Sequence, residues 1–393
     1  MMKYELVDTC SENAVIKVIG IGGGGGNAVN HMVDKQIEGV QFICANTDAQ
    51  ALRRLSVDTI IQLGVELTKG LGAGTRPEIG KMAAEENKDR IREVISGADM
   101  VFLTAGMGGG TGTGAISVIA QIAKELGILT VAVVTKPFDF EGKKKIAVAA
   151  AGIKELEKYV DSLIIIPNQK LLPVLGNNLS LINAFKAAND VLLDAVKGIT
   201  ELITHPGLIN VDFADVVTVM SNMGAAIMGT GSASGENRAR VAAEKAISCP
   251  LLEDISLQGA KGILVNITAA DMDLTEFNEV GNIMHAFASE FADMKIGTAI
   301  NPDLGDEIKV TVVATGMGQP SQTASATTAA SPVKLVQKAT AGEINFDVLE
   351  KPTVMRKNKT ESRENRFAAT AKKEAGMDLD YLDIPAFLRR QAD

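Results

Sequence analysis

Aliphatic residues along this chain fall into short unbroken runs, separated by longer stretches in which apolar positions recur at helical spacing. The runs at 15–20 (VIKVIG), 41–45, 100–105 (MVFLTA), 129–135 (LTVAVVT) and 163–167 are bounded by turn residues. Unbroken aliphatic runs suit strands covered on both faces, as in a parallel sheet. Between them, 77–96 and 114–126 carry helical spacing. The alternation predicts an α/β fold with a doubly wound nucleotide-binding type of sheet.

From 179 to 203 the pattern LSLINAFKAANDVLLDAVKGITELI reads as one long helix, apolar over most of its circumference. Such a helix lies inside a protein, and we expect it to bridge two domains. Beyond it come an apolar stretch at 211–228 and strand-like runs at 262–268, 296–300 and 308–315. These predict a smaller α+β domain ending near Met317. The pattern then fails. Residues 319–379 are poor in aliphatics and rich in Ser, Thr, Ala and charge, a composition that cannot offset chain entropy by burial, so a disordered linker is expected. Apolar residues return in DYLDIPAFLRRQAD at 380–393.

Length and composition narrow the function. The 393 residues suggest two or three domains. Lys+Arg 39 against Asp+Glu 48 leaves a net charge of −9; the linker is slightly basic, so the acidity sits in the folded body. That balance argues against non-specific nucleic-acid binding. With 4% aromatics and no Trp, single-strand stacking platforms are not expected either. Cys10, Cys44 and Cys249 are too far apart for a disulfide scaffold or CxxC metal site. His31, His205 and His285 are likewise scattered, which disfavours a zinc centre. No leader-like apolar run follows the first residues and no stretch reaches 18 apolar residues. The expectation is a soluble cytoplasmic protein.

Glycine carries the chemistry. VIGIGGGGGNAVNHM at 18–32 is a strand, a five-glycine run and a helix. A plain strand–helix turn needs one or two glycines, and each further one costs about 1 kcal/mol in chain entropy relative to Ala. Five imply a backbone that approaches something closely, with phosphate at a helix N-terminus the better reading. A second such loop, TAGMGGGTGTGA at 104–115, again follows a strand, and TKGLGAGTRPE at 68–78 is a third candidate. Two loops after two parallel strands converge at the carboxyl edge of a sheet and can wrap a polyphosphate. No G-x-x-x-x-G-K-[ST] is present, so this is not a P-loop.

GMGGGTGTG is the tubulin-type phosphate signature, and with GIGGGGGNAV and NVDFADVVTVM the chain closely resembles the FtsZ family of bacterial cell-division GTPases over about residues 12–318. DYLDIPAFLRRQAD resembles that family's tail peptide. The resemblance implies GTP or GDP as nucleotide, Mg²⁺ as companion ion, and head-to-tail assembly into protofilaments that form the cytokinetic ring at mid-cell beneath the inner membrane. It implies an N-terminal extension (1–11), a GTP-binding domain (12–178), a central helix (179–205), a C-terminal activation domain (206–318), the linker (319–379) and a partner-binding tail (380–393).

Residue by residue, the family pattern puts Gly23, Gly24, Gly25 and Asn27 on the nucleotide, with Gly72, Ala73 and Gly74 from the third loop. Gly108, Gly109, Gly110, Thr111, Gly112 and Thr113 form the signature loop. Thr135, Pro137, Glu141 and Lys145 match the segment that reaches the ribose, where Lys145 stands in place of the family's usual Arg and lacks its bidentate fork. Phe185 resembles the residue stacking on guanine and Asp190 the one accepting from N1 and N2, with Asn189 beside it. Phe185 also reads as core, and Asp190 as an i, i+4 partner of Lys186. Asp48 is a candidate near the metal, although a loop Asp also reads as a cap.

The catalytic candidates are Asp212 and Asp215, with Asn210 alongside. As plain structure, Asp212 is an N-cap and Asp215 a first-turn acid; by resemblance they are the family's paired acidic residues. From Asp190 to Ile203 the helix runs about 20 Å at 1.5 Å per residue, so the acidic loop cannot reach its own nucleotide. It can reach that of the next subunit in a head-to-tail polymer. In the tail, Asp380, Tyr381, Leu382, Ile384, Pro385, Phe387 and Leu388 are expected to dock on a membrane-adaptor protein. A nicotinamide dehydrogenase fits Gly20-x-Gly22-x-x-Gly25 with Glu38 or Asp48, but leaves the second glycine loop unexplained. A GTP-binding scaffold without hydrolysis would lack Asp212 or Asp215.

Overall fold

A computed structural model describes residues 14–175, 180–204, 207–221, 224–252, 259–289 and 292–317. The expected extension, linker and tail lie outside these residues. The chain runs β1 (Ile16–Ile21), α1 (Gly22–Asp34), β2 (Val40–Asn46), α2 (Ala49–Leu52), β3 (Thr59–Gln62), α3 (Val65–Thr68), α4 (Pro77–Glu86) and α5 (Lys88–Ile95). Next come β4 (Met100–Gly106), α6 (Gly110–Glu125), β5 (Leu129–Lys136), α7 (Lys143–Leu156), β6 (Ser162–Pro167) and α8 (Leu172–Leu175). The long helix is α9 (Leu181–Thr204), followed by α10 (Phe213–Met220), β7 (Ala225–Ser234), α11 (Arg238–Ile247), β8 (Gly262–Ala269), α12 (Leu274–Phe287), β9 (Asp293–Ile300) and β10 (Glu307–Met317).

The ten strands of the described residues form one sheet in the order β3-β2-β1-β4-β5-β6-β7-β10-β8-β9. The first six pair in parallel, and every residue of β1 is buried. Alternate side chains of these strands feed two cores. Val18, Phe102, Val131 and Val133 pack with α1 and α9 on one face. Ile19, Leu103, Ala132 and Val134 pack with α4, α5, α6 and α7 on the other. Double-sided burial is the reason these strands read as unbroken aliphatic runs.

The second half continues the sheet instead of starting a separate one. β7 joins β6 in parallel through Leu163–Ala225 and Ile164–Ala226. β10 then pairs antiparallel with β7 and β8, and β9 runs parallel to β8. This half has its own core, including Val265, Ile267, Val310 and Val312 with α11 and α12.

Some expectations need correction. The single helix at 77–96 is two, parted at Asn87, whose Oδ1 accepts from the Gly64 N–H at 2.8 Å. Asn87 leaves the helical region at φ −106° and ψ 22°, and its N–H turns to the Ala84 carbonyl three residues back. The stretch 211–228 contains both α10 and the start of β7, and Gly224 between them has φ 137°. The five-glycine run forms the opening of α1 instead of preceding it. α9 is not enclosed at its start, where the apolar Leu181 and Ile182 are exposed. It becomes enclosed further on, through Leu192, Val196, Ile199 and Leu202.

Candidate functional site

In the order 3-2-1-4-5-6 the chain reverses its direction of travel across the sheet between β1 and β4, which is where ligands bind in open α/β sheets. Both glycine loops follow those two strands. In the first, Gly20 and Gly25 are packing residues. A Cβ on Gly20 would lie 2.4 Å from the Gly25 carbonyl oxygen, and one on Gly25 would lie 2.3 Å from that of Thr104. Gly23 faces open space on the cavity wall. The second loop is tied down by its threonines. Thr113 Oγ1 accepts from the Gly108 N–H at 2.8 Å, and the Thr111 and Thr47 hydroxyls are 2.6 Å apart. The third loop braces it, since the Gly110 N–H donates to the Gly74 carbonyl at 2.8 Å.

Neither α1 nor α6 has a side-chain cap at its N-terminus, and neither has an acidic residue in its first turn. Apart from the Gly110 N–H, which the Gly74 carbonyl takes, their uncapped N–H groups point to a ligand, and the helix dipoles favour an anionic one.

These elements enclose a cavity of about 420 Å³. Gly23, Gly24 and Asn27 line it from α1, and Gly74 from the third loop. Gly109, Gly110, Thr111 and Gly112 line it from the signature loop. Thr135 at the end of β5, then Pro137, Glu141 and Lys145, form another wall, and Phe185 and Asn189 reach it from α9. Gly25, Gly72, Ala73, Gly108, Thr113 and Asp190 are not on this wall. Gly25, Gly108 and Thr113 brace the loops as described, Ala73 is buried, and the Gly72 N–H is spent on the Thr47 carbonyl at 3.3 Å.

Phe185 is not core. It is 41% exposed and meets the buried Phe138 edge-on at 5.5 Å, leaving ring surface at the cavity. Lys145 Nζ pairs with Glu141 Oε2 at 3.2 Å, while Glu141 Oε1 accepts from the Phe138 N–H at 2.9 Å. Asp190 is partnered by His31 at 2.7 Å, not by Lys186. Asp48 caps α2 through Oδ1, which accepts from the Gln50 and Ala51 N–H groups at 2.8 and 3.2 Å.

Sequence reasoning missed Gly106, Met107, Asn168, Ala188 and Leu192 on this wall. Asn168 matters most. It is buried, and its Oδ1 has no hydrogen-bond partner among the described residues. A buried acceptor without a partner costs about 1–3 kcal/mol unless something satisfies it. The readable signal was position: Asn168 directly follows β6, at the same carboxyl edge as the glycine loops.

The acidic loop lies beyond the far end of α9, a helix about 36 Å long for its 24 residues. Asp212 is the N-cap of α10, its Oδ1 accepting from the Asp215 N–H at 2.7 Å. Asp215 pairs with Lys295 Nζ at 2.9 Å. The hydrogen bond to Asp215 first, then the charges of Asp293, Asp215 and Asp212, hold the Lys295 ammonium above its usual range. Asn210 Oδ1 accepts from the Gly207 N–H at 2.7 Å. Leu208 and Ile209 beside them are exposed. Lys295, on β9, was invisible as a partner because it is distant in sequence.

The GTPase-domain model of the Tubulin/FtsZ family matches residues 15–176, and the FtsZ C-terminal-domain model matches 224–318. The cell division protein FtsZ of Coxiella burnetii is 60% identical over 389 residues, covering 98% of this chain and 99% of its own length. That of Pseudomonas aeruginosa is 58% identical over 402 residues, covering 99% and 100%. Among solved structures, an empty FtsZ dimer of M. jannaschii is 44% identical, with a TM-score of 0.75 over 78% of this chain and 89% of that one. CetZ2 from Haloferax volcanii, solved as a GTPγS-bound protofilament, is 19% identical with a TM-score of 0.66 over 78% and 94%, a likeness of fold alone.

Proposed function

The chain belongs to the Tubulin/FtsZ family and is a tubulin-like cell-division GTPase that binds guanine nucleotide, and from that premise we propose that it hydrolyses GTP only at the junction between two of its own copies. The observation that carries this is the placement of α9, with the nucleotide cavity beside its first half and the acidic loop beyond its end.

The N–H groups opening α1 and α6 would hold the phosphates, with Asn168, Phe185, Asn189 and Asp190 toward the base. Glu141 and Lys145 would face the ribose side, Lys145 as a point charge without a planar fork. Among the described residues no group of three or more His, Cys, Asp or Glu is arranged to cage a metal. Mg²⁺ is therefore expected on phosphate oxygens and water, where it would neutralise phosphate charge. Asp48, in the loop after β2, would hold water on that ion through Oδ2, its Oδ1 being engaged as the cap of α2.

In a head-to-tail polymer the loop at 207–212 of one copy meets the cavity of the next. Asp212 and Asp215 would orient and polarise the attacking water there, with Asn210 beside them. The preorganised N–H groups of the glycine loops stabilise the charge that develops on the phosphates. Exposed Leu208 and Ile209 supply apolar contact at that junction. The tail, tethered by the linker, would dock on an adaptor that gathers filaments beneath the inner membrane at mid-cell.

Right-angle light scattering with GTP, GDP, ATP or no nucleotide tests this reading. Scattering should rise with GTP alone. A comparable rise with ATP, or without nucleotide, would overturn it.

A further inference from the structure

Two helices bound one end of the cavity. Asn27 of α1 and Asn189 of α9 both line it. One helical turn beyond Asn27, on the same face of α1, stands His31; next to Asn189 on α9 stands Asp190. These two side chains meet across the helix pair, His31 Nε2 lying 2.7 Å from Asp190 Oδ1. The contact is asymmetric in its surroundings: the His31 side chain is 15% exposed and that of Asp190 50%.

Asp190 alone would be a poor reader of a base. The last torsion of an aspartate is broad and roughly two-fold, so a half-exposed carboxylate samples many orientations and must be ordered when ligand binds. His31 is largely enclosed where α1 packs on α9. An imidazole held by packing can hold the carboxylate in turn. It donates from Nε2 both as the Nε2–H tautomer and when protonated. It engages one oxygen and leaves Oδ2 and the remaining lone pairs free to accept from N1–H and the exocyclic amine of guanine.

We propose that His31 is a positioning residue for base recognition: through its bond to Oδ1 it presets the Asp190 carboxylate and thereby sharpens the preference for guanine over hypoxanthine. The inference rests on the reading of Asp190 as the acceptor for the base. Hypoxanthine keeps N1–H and lacks the exocyclic amine, so the ratio of affinities for GDP and IDP reports how well the carboxylate is aimed. A site that hydrogen-bonds a group discriminates against the analogue lacking it, because its own polar atoms are left unpaired.

The test measures GDP and IDP affinity of the full chain, unmodified and as His31→Ala, His31→Gln and Asp190→Ala, with a thermal midpoint for each. His31→Ala should narrow the GDP:IDP ratio by about tenfold, the scale of one hydrogen bond to a charged group. His31→Gln, whose amide reaches the place of Nε2, should keep the ratio within about twofold. Should His31→Ala fail to fold, His31→Asn, polar but too short to reach Oδ1, carries the same expectation. An unchanged ratio in the folded variant, or equal losses for GDP and IDP, overturns the proposal while Asp190→Ala still collapses the ratio. If Asp190→Ala leaves the ratio intact, the reading of Asp190 itself falls, and the proposal with it.

Discussion

Gly23 and Gly25 sit two apart in one run and answer to different constraints, one facing the open cavity and one packed on the strand beneath. Gly25→Ala would press a methyl to 2.3 Å from the Thr104 carbonyl oxygen, so α1 must shift and stability should fall by about 1–3 kcal/mol, read in urea or thermal unfolding. Gly23→Ala meets no protein atom within 4 Å. It should fold normally and lose nucleotide affinity, because the new methyl enters the cavity. Asp212 allows a similar separation of roles. Asn is as good an N-cap as Asp, so Asp212→Asn keeps the bond to the Asp215 N–H and removes only the charge. We expect nucleotide binding to survive and GTP turnover to drop about a hundredfold or more, the scale of losing one transition-state electrostatic contact. Asp212→Ala should lose turnover and about 1 kcal/mol of cap stability as well. Cys44 is fully buried and its thiol is pushed up to about 12 by desolvation. Peptide mapping after brief alkylation at neutral pH should find Cys44 unmodified until the chain is unfolded, since only the thiolate reacts. Residues like these were legible where a local pattern carried them. His31 and Lys295 pair with Asp190 and Asp215, residues distant in sequence, and no local pattern announces such a pairing.

At the scale of elements, the strands buried on both faces were the most readable, because burial leaves only aliphatic side chains. β3 was not: it is a short edge strand that, among the described residues, pairs only with β2, and Ile60 is exposed. β7 and α11 escaped because most of their buried positions are filled by small residues. β7 is rich in Gly, Ala and Ser, and α11 buries only alanines, so neither carries a strong apolar period. The long helix was readable in position, and its packing shows why a glycine interrupts it. A Cβ on Gly198 would lie 2.7 Å from Thr311 Cγ2, where β10 crosses. Nearby, Asn266 Nδ2 donates to the Gly198 carbonyl at 3.0 Å, and Lys309 pairs with Asp194. Gly198→Ala should therefore lower the thermal midpoint despite the better helix propensity of alanine. Guanine affinity should hold, since Gly198 lies about 12 Å along α9 from Asp190.

For the whole molecule, the sequence pattern placed both glycine loops at one sheet edge and the acidic loop a helix-length away, and it gave two domains without showing that one sheet runs through both. The seam of two residue pairs between β6 and β7 is set by neighbours far apart in sequence, so no local pattern marks it. Residues 380–393 lie outside the described part. Their deletion should leave polymerisation and GTPase activity intact and abolish adaptor binding and membrane recruitment in pull-down and imaging assays. The central claim is that no copy holds a complete hydrolytic site. Its most direct measurement is the GTPase rate per subunit across a protein dilution series. We predict a sharp rise above a threshold concentration and near-zero turnover below it. A rate per subunit that stays constant down to high dilution would contradict the shared site.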